Sequence, residues 1–438
     1  MLTLDDINLD TLNNQLDIED KQLLANKLLF AYNESKYIEI NKYFIQLQDI
    51  FKQFNFNINF SKDITNINNI FDQTINSNIN FDNIKNILII QLGEIEDNIF
   101  LIPALRELKN NLKNINIDLI CPDYCEFLFD NKYIDNIITI DTKKYVKFSE
   151  LIEYCKLYLW NKQYDLSINF NWQYNSIAVM LGFLSGSTYR LGYNSNIQAQ
   201  YCAEFIDPQE SYQLALLDNF FYTHIIQNPY DIINEKERKL WILSYLNLKI
   251  ENNKLELPIK KSYKINTNKR KIILGINGNI KNKCYPYYNQ VIKLINKFDN
   301  NNLFILLKNN EDYIEDICSN DNILNLINNY DKDELISLVS QADLYIGNNT
   351  DLAYIALVFN IPIILISQEA EDKNDHPGFL SSLARYILNR DNIKIIQPEY
   401  ANDSCIEIPC FGGCISNEPH CIKTIEPEKI VEAYKDFI

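Results

Sequence analysis

Four cysteines and a histidine are crowded into one short stretch near the end of this 438-residue chain. The stretch 405–421 reads CIEIPCFGGCISNEPHC and contains four of the ten cysteines beside one of only three histidines. Two glycines and two prolines interrupt it and no apolar periodicity runs through it, so burial alone does not account for the thiols. Four thiolates can hold Zn²⁺ or iron tetrahedrally. The sequence therefore predicts a metal site with the ligands Cys405, Cys410, Cys414 and Cys421.

Two alternatives to this ligand set stay open. His420 could replace one of the cysteines, and the absence of a Cys-x-x-Cys pair leaves four unliganded thiols as a second interpretation. If a metal is bound, four protein ligands leave no open position for a substrate. We therefore expect a structural role for this stretch and look elsewhere for chemistry.

Three carboxylates, Glu94, Glu96 and Asp97, lie near the start of the segment 91–108, which reads QLGEIEDNIFLIPALREL and follows the apolar run 86–90. A carboxylate at the mouth of a parallel sheet could accept a proton from a substrate hydroxyl. The alternative is that these acids only cap the following helix and complement its dipole.

Lys283 follows another apolar run across the asparagine-rich segment GINGNIKN (275–282). Its ammonium group could act as a point charge on a phosphate. The alternative is a solvated surface lysine in an asparagine-rich loop.

Short apolar runs that alternate with amphipathic helical patterns are typical of buried parallel strands in an α/β sheet. A first series of predicted strands covers 86–90, 115–121, 136–140 and 166–170, with helices near 99–112, 148–160 and 173–185. A second series covers 271–277, 303–307, 344–347, 361–367 and 393–397. Two such series predict two doubly wound, Rossmann-like domains that face each other across a cleft, with ligands beyond the carboxyl ends of the strands.

The same patterns predict the division of the chain. Apolar residues spaced by three or four positions between Ile40 and Phe54 predict a helical extension over 1–80. We predict a first Rossmann-like domain over 85–250 and a second over 270–400. A cysteine-rich strap and a final helix are predicted over 401–438.

The composition restricts the class of protein. A formal net charge of −17 argues against binding nucleic acid through a basic face. The amino terminus, MLTLDDINLD, lacks the pattern of a secretory signal, and no stretch has the ~20 apolar residues of a membrane span. We therefore expect a cytoplasmic protein, in which cysteines stay reduced.

The segment 87–108 resembles the opening of glycosyltransferase family 9, the heptosyltransferase family, where a strand leads into Leu-Gly-x-x-Gly-Asp and then Pro-Ala-Leu-Arg. The matching residues are Leu92, Gly93, Asp97, Pro103, Ala104, Leu105 and Arg106. The segment 164–193 is similar to that family's Tyr-Asp-x-x-Ile segment, helix and Arg-x-Gly-Tyr/Phe turn. The sequence KNKCYP (281–286) resembles its Lys-Arg-Trp-Pro box, and 421–434 resembles its ending.

The segment 335–366 resembles the family's Gly-Asn-Asp-Ser/Thr-Gly-Pro-x-His region, which binds the donor nucleotide sugar. By resemblance the donor-binding residues are Lys283, Asn348, Asn349, Thr350 and Asp351. The chain departs from the family at five positions, namely Glu96 for Gly, Asn349 for Asp, Asp351 for Gly, Leu352 for Pro and Tyr354 for His.

The resemblance covers about 85–438 and implies a GT-B fold and an inverting sugar transfer in which Asp97 is the base. It implies an ADP-heptose-like donor, a bacterial surface-glycan acceptor of the lipopolysaccharide-core type or a protein acceptor, and no cofactor for the transfer itself. Peripheral association with the inner membrane is compatible with it. Because Asp351 and Tyr354 alter the donor region, the alternative is a catalytically degenerate member that acts as a glycan- or protein-binding module.

Overall fold

The computed structural model describes residues 79–144, 148–172, 175–193, 221–226, 232, 234–276, 284–307, 317, 322–368, 385–387, 391–399 and 421–438. The chain divides into two compact units. The first unit comprises 1–232 and 236–253, and the second comprises 233–235 and 254–438. Each unit is built around its own sheet of six parallel strands among the described residues.

The first sheet contains the strands β1 to β6 in the spatial order β3-β2-β1-β4-β5-β6. Their bounds are β1 Asn86–Ile90, β2 Asn116–Pro122, β3 Asn136–Ile140, β4 Leu166–Asn169, β5 Tyr189–Tyr193 and β6 His224–Ile226. Its helices are α1 Ile95–Asn111, α2 Phe148–Tyr158, α3 Ser176–Leu184 and α4 Glu235–Tyr245. The apolar side chains of β1 and β4 are completely buried, which explains the unbroken apolar run 87–90 in β1.

The second sheet has the same kind of topology, in the order β12-β11-β10-β7-β8-β9. Its strands are β7 Arg270–Gly275, β8 Asn302–Leu306, β9 Ile323–Asn325, β10 Leu344–Asn348, β11 Ile363–Ile366 and β12 Ile393–Ile396. Its helices are α5 Tyr288–Phe298, α6 Lys332–Ser340, α7 Asp351–Val358 and α8 Pro427–Lys435.

In each sheet the chain first winds outward on one side and then returns to the other side of the starting strand. The order therefore reverses between β1 and β4 in the first sheet and between β7 and β10 in the second. Ligands of open α/β sheets bind in the crevice at such a switch point, beyond the carboxyl ends of the strands. This topology directs attention to the residues that follow β1, β4 and β10.

The final helix α8 is part of the second unit's core. Ile430, Val431 and Tyr434 pack into the same apolar cluster as Val291 and Ile295 of α5. The Tyr434 hydroxyl donates to Asp299 Oδ2 over 2.9 Å.

The sequence-based prediction of two α/β domains is confirmed, and each apolar run interpreted as a strand forms one. The Arg-x-Gly-Tyr segment, expected as a turn, is instead strand β5, where Gly192 lets the Tyr222 ring lie against the backbone. Strands β6 and β9 were not predicted, because three residues cannot display a periodicity. The predicted extension over 1–80 lies outside the described residues except for its last two. In the described part of the chain, no helix has the length and apolarity to cross a bilayer.

Candidate active site

Asp97 lies in the first turn of α1, beyond the carboxyl end of β1 and at the switch point of the first sheet. Its side chain is 7% exposed and rests against Gly93. A Cβ atom built on Gly93 would come within 2.3 Å of Asp97 Oδ2, so only glycine leaves room for the carboxylate in this position. The position of the Asp97 carboxylate therefore depends on the path of the loop 91–94.

Asn171, which follows β4, ties down the loop that leads to Asp97. Its Oδ1 accepts the Leu92 backbone N–H over 2.9 Å and Gln91 Nε2 over 3.3 Å. Its Nδ2 donates to Asn169 Oδ1 over 2.7 Å and to Ile90 O over 3.3 Å. Asn171 is 5% exposed, so these bonds are made away from bulk water, where an unsatisfied group would cost about 1–3 kcal/mol. The network gives the β1–α1 loop one defined path.

Asn98, the residue after Asp97, holds the loop from the helix side. Its Nδ2 donates to Gly93 O over 2.8 Å and to Glu94 O over 2.9 Å. It also lies 3.4 Å from the sulfur of Cys125. The loop is thus held by side chains from both of its ends.

Burial and the nearby carboxylates raise the pKa values of two neighbouring groups, Cys125 and Tyr124. Burial, followed by the charges of Cys121 and the nearby carboxylates, raises the pKa of Cys125. Burial and the charge of Glu94 raise the pKa of Tyr124, whose hydroxyl donates to Glu94 Oε2 over 3.3 Å. Both groups therefore stay protonated near neutral pH, and Cys125 does not supply a thiolate nucleophile.

The alternative, in which Glu94, Glu96 and Asp97 only cap the helix and complement its dipole, agrees with part of the structure. Glu94 occupies the N-cap position of α1 but makes no side-chain capping hydrogen bond. Glu96 and Asp97 stand in the first turn, where a negative charge complements the helix dipole. Dipole complementarity does not explain why Asp97 is buried against a glycine at the switch point.

In the second unit, the residues 348–351 form the turn between β10 and α7. Asn348 is 1% exposed, and its Oδ1 accepts the Tyr288 hydroxyl over 2.7 Å and the Tyr285 N–H over 3.2 Å. Thr350 is the N-cap of α7 but makes no side-chain cap; its Oγ1 lies 3.1 Å from the Tyr345 hydroxyl. That hydroxyl also donates to Asn348 O over 2.6 Å. The side chains of Asn348 and Thr350 therefore hold the turn in place. The Thr350 side chain does not cap the first backbone N–H groups of α7.

Asp351 is the first residue of α7 and places a carboxylate at the positive end of the helix dipole. Its Oδ1 lies 3.0 Å from the Leu352 N–H. Burial and then the charge of Asp351 raise the pKa of Tyr330 to about 12. A diphosphate at this helix start would share the site with a negative side chain.

Tyr354, which stands where the resembling family has histidine, is turned into the unit. It is 2% exposed, its hydroxyl donates to Asn349 Oδ1 over 2.6 Å, and its ring makes an edge-on contact with Tyr386. Tyr354 therefore supports the turn through Asn349.

The structure thus brings together four predicted residues, Asn348 to Asp351, and puts Asp97 at the equivalent end of the other sheet. Lys283, Cys405, Cys410 and Cys414 lie outside the described residues. Cys421 is a buried thiol at the start of the short 3₁₀ segment Cys421–Thr424. Within the described ranges, no three His, Cys, Asp or Glu side chains are grouped closely enough to hold a metal.

Sequence reasoning missed the polar residues that support the site. Gln91 and Asn171 could have been found, because both directly follow predicted strands. Tyr345 could not, since a tyrosine in an apolar strand is indistinguishable from core. Its position depends on Gly275, where a Cβ atom would come within 1.8 Å of the tyrosine oxygen.

No protein-family model matches this chain. No curated protein sequence matches it either. Solved structures do match. The glycosyltransferase family 9 protein of Veillonella parvula superimposes with a TM-score of 0.57 at 12% identity, covering 81% of this chain and 97% of that one. The Escherichia coli ADP-heptose lipopolysaccharide heptosyltransferase II gives 0.54 at 14% identity, covering 80% and 98%.

A third structure, E. coli heptosyltransferase WaaC with ADP-2-deoxy-2-fluoro heptose, gives a TM-score of 0.56 at 12% identity, covering 81% of this chain and all of the other, 100%. At these identities the likeness establishes the fold. The chain therefore has the two-domain GT-B fold of these glycosyltransferases. The resemblance of the sequence to family 9 is supported at the level of fold only.

Proposed function

We propose that this protein is an inverting glycosyltransferase that moves a heptose-like sugar from a nucleotide-diphosphate donor to an acceptor hydroxyl. The acceptor is a surface glycan, of the lipopolysaccharide-core type, or a protein. The observation that carries the proposal is the position of Asp97. It is a carboxylate seated against Gly93 at the switch point of a Rossmann-like domain, in a chain with the fold of known heptosyltransferases.

The donor is assigned to the second unit. The start of α7 after β10 supports this, because helix N-termini bind phosphate through backbone N–H groups and the dipole. WaaC, which shares the fold, was solved with an ADP-linked sugar. Lys283 would add a cation beside the diphosphate, and Asn349, Thr350 and Asp351 would shape the turn around it.

In the proposed reaction the Asp97 carboxylate takes the proton of the acceptor hydroxyl. The hydroxyl oxygen forms a bond to the anomeric carbon of the donor, on the face opposite the diphosphate. The bond from that carbon to the diphosphate oxygen breaks, and its electron pair leaves with the nucleoside diphosphate. Electrostatic stabilisation of the leaving group by Lys283 and the α7 amides would serve this step without a metal ion.

A thermal-shift screen against nucleotide sugars tests the donor, because a ligand at about 100 times its Kd stabilises the folded state by about 2.7 kcal/mol. We expect ADP-heptose or a related nucleotide sugar to raise Tm. With an acceptor in hand, Asp97→Asn should lower transfer by ~10²–10⁴ and leave the donor-induced shift unchanged. Asp123→Asn, an exposed aspartate in the same unit, is the control. If Asp97→Asn transfers sugar at the wild-type rate, Asp97 is not the base.

The second candidate function is a catalytically degenerate family member that binds a glycan or protein. The observation that favours it is Asp351, whose charge at the α7 start opposes a diphosphate, together with Tyr354 at the position of the family's histidine. A protein that gains no stability with any nucleotide sugar, yet gains stability with free acceptor glycans, would support this function.

We further propose that Cys405, Cys410, Cys414 and Cys421 bind Zn²⁺ or iron as a structural site. Cys421 supports this only by its location, since its buried thiol begins the 3₁₀ segment that precedes α8, and α8 is packed in the second unit's core. A metal there would fasten the strap to that helix. It would take no part in the transfer reaction.

A further inference from the structure

A lysine that is completely buried, Lys239 of α4, lies beneath the loop that leads to Asp97. Its Nζ is 3.1 Å from Gln91 Oε1 and 3.4 Å from Phe170 O. These two oxygens belong to the residues that directly follow β1 and β4. Lys239 therefore contacts the residues at the carboxyl ends of both strands that flank the first sheet's switch point.

The helix that carries Lys239 is held firmly at the neighbouring residue. The Arg238 guanidinium stacks on the Trp172 ring at 3.7 Å, and its Nε donates to Ile232 O over 2.6 Å. The backbone carbonyl of Arg238 accepts the Tyr193 hydroxyl over 2.7 Å. The ammonium group is thus presented from a rigid support.

The hydrogen bond between Lys239 and Gln91 fixes which side-chain atoms of the loop donate and which accept. A lysine ammonium only donates, so Gln91 must turn its Oε1 toward Lys239 and its Nε2 toward Asn171. Asn171 must then offer Oδ1 to Gln91, and the same oxygen accepts the Leu92 N–H. If the group beneath Gln91 were an acceptor, both amides would have to turn and the Leu92 bond would be lost. The donor at position 239 therefore sets the orientation of the whole relay.

We propose that Lys239 is a positioning residue for the transfer reaction, acting through Gln91 and Asn171 on the loop that places Asp97. The last link is steric, because Gly93 follows Leu92 and is in contact with the Asp97 carboxylate. This assignment rests on the proposed function for its effect on the rate. Its structural part, the relay from Lys239 to the Leu92 N–H, is independent of that function.

Two variants interrupt the relay at different points. Lys239→Met keeps the length of the side chain and removes the donor. Gln91→Glu keeps an acceptor for Lys239 but replaces the Nε2 donor by a second oxygen facing Asn171 Oδ1. Lys239→Arg keeps a donor and should restore part of the function. Tyr164→Phe is the control, because it removes a buried hydrogen bond to Asp118 Oδ2 near the amino end of β4, away from the loop.

We expect Lys239→Met and Gln91→Glu to lower kcat by about 10²-fold, the effect of a misplaced catalytic group, while KM for the nucleotide sugar changes little. Tyr164→Phe should keep the wild-type kcat. Hydrogen exchange of the Leu92 amide should become several-fold faster in the two relay variants and stay unchanged in Tyr164→Phe.

The exchange measurement separates the two proposals. If the wild-type protein transfers no sugar, the proposed function fails, and the Leu92 amide still decides whether the relay exists. Folded Lys239→Met and Gln91→Glu variants with unchanged Leu92 exchange would overturn the relay. Faster exchange with an unchanged kcat would show that the relay does not position Asp97, and so would overturn the role assigned to Lys239.

Discussion

Asp97 owes its position to a residue that has no side chain. Gly93 allows the carboxylate to lie against the loop, and its φ is not in the left-handed region, so the glycine provides space and not an unusual backbone conformation. The Asp97 Cβ atom would also lie within 2.7 Å of a Cβ at position 93. Rotation of the carboxylate alone could not relieve such a contact, so the helix turn itself would have to move.

We therefore expect Gly93→Ala to slow the proposed sugar transfer without unfolding the protein. Overpacking of this kind costs about 1–3 kcal/mol of stability, and a displaced base lowers the rate by up to about 10²-fold. Transfer kinetics and urea unfolding measure the two effects. Gly182→Ala in α3 is the matched control, because its Cβ would meet ordinary contacts of 3.4 Å and 3.5 Å and alanine favours a helix. Equal kcat in both variants would contradict the proposed coupling of Gly93 and Asp97.

At this scale the sequence predicted only part of the site. Asp97 comes seven residues after the predicted strand 86–90, and on position alone it is better explained as a helix-capping acid. The resemblance to glycosyltransferase family 9 is what nominates it as the base. Lys239 gave no signal, because the run EKERK (235–239) is typical of a solvated helix face. Its burial results from the way α4 docks beside the ends of β1 and β4, which is a long-range property that no local pattern encodes.

At the scale of elements, α1 has two separate tasks. Its first turn carries Asp97, and its last turns hold the segment 249–252 that leads out of the first unit. Arg106 Nη2 donates to Asn252 O over 2.6 Å, and Glu107 Oε2 accepts the Glu251 N–H over 2.8 Å. Arg106, one of the residues that match the family pattern, therefore has a structural contact that accounts for its presence.

We expect Glu107→Ala to destabilise the first unit by about 3–5 kcal/mol, because it breaks a buried pair in which Arg106 Nε lies 3.3 Å from Glu107 Oε1. All three tryptophans, Trp160, Trp172 and Trp241, belong to the first unit, so fluorescence during urea unfolding reports on it. Glu251→Ala is the control, since only its backbone N–H contacts Glu107 and its exposed side chain contributes little. The interpretation is wrong if both variants unfold at the same urea concentration.

The order of elements was the part best predicted, for a physical reason. A central parallel strand such as β1 is covered on both faces, so its sequence is apolar throughout and stands out from its surroundings. The short strands β6 and β9 lie at sheet edges and carry no such signal. Strand β5 was obscured by Arg190 and Gly192. Arg190 is nonetheless 1% exposed, because its guanidinium donates to the carbonyls of Phe221 and Ser187.

At the scale of the whole molecule, eight of the ten cysteines form two sets of four, and the other two, Cys202 and Cys318, lie outside the described residues. Cys121, Cys125, Cys155 and Cys284 are buried thiols within the two units. Burial raises the pKa of Cys155, which keeps it protonated and unreactive. These four thiols are explained by packing. The sequence around Cys405, Cys410 and Cys414 follows neither a strand nor a helix pattern, so packing alone does not predict these three thiols.

We therefore expect protein purified without chelator to contain stoichiometric zinc or iron, measured by elemental analysis. Cys414→Ser should lose the metal and melt at a lower temperature, because a structural metal contributes its binding free energy to folding. Cys155→Ala is the control, since it removes a buried thiol from α2 and should lower Tm while the metal content stays constant. Metal-free wild-type protein, together with an unchanged Tm in Cys414→Ser, would leave the stretch as four unliganded thiols. In either case the donor-induced thermal shift should persist in Cys155→Ala, because the donor is assigned to the second unit and Cys155 lies in the first.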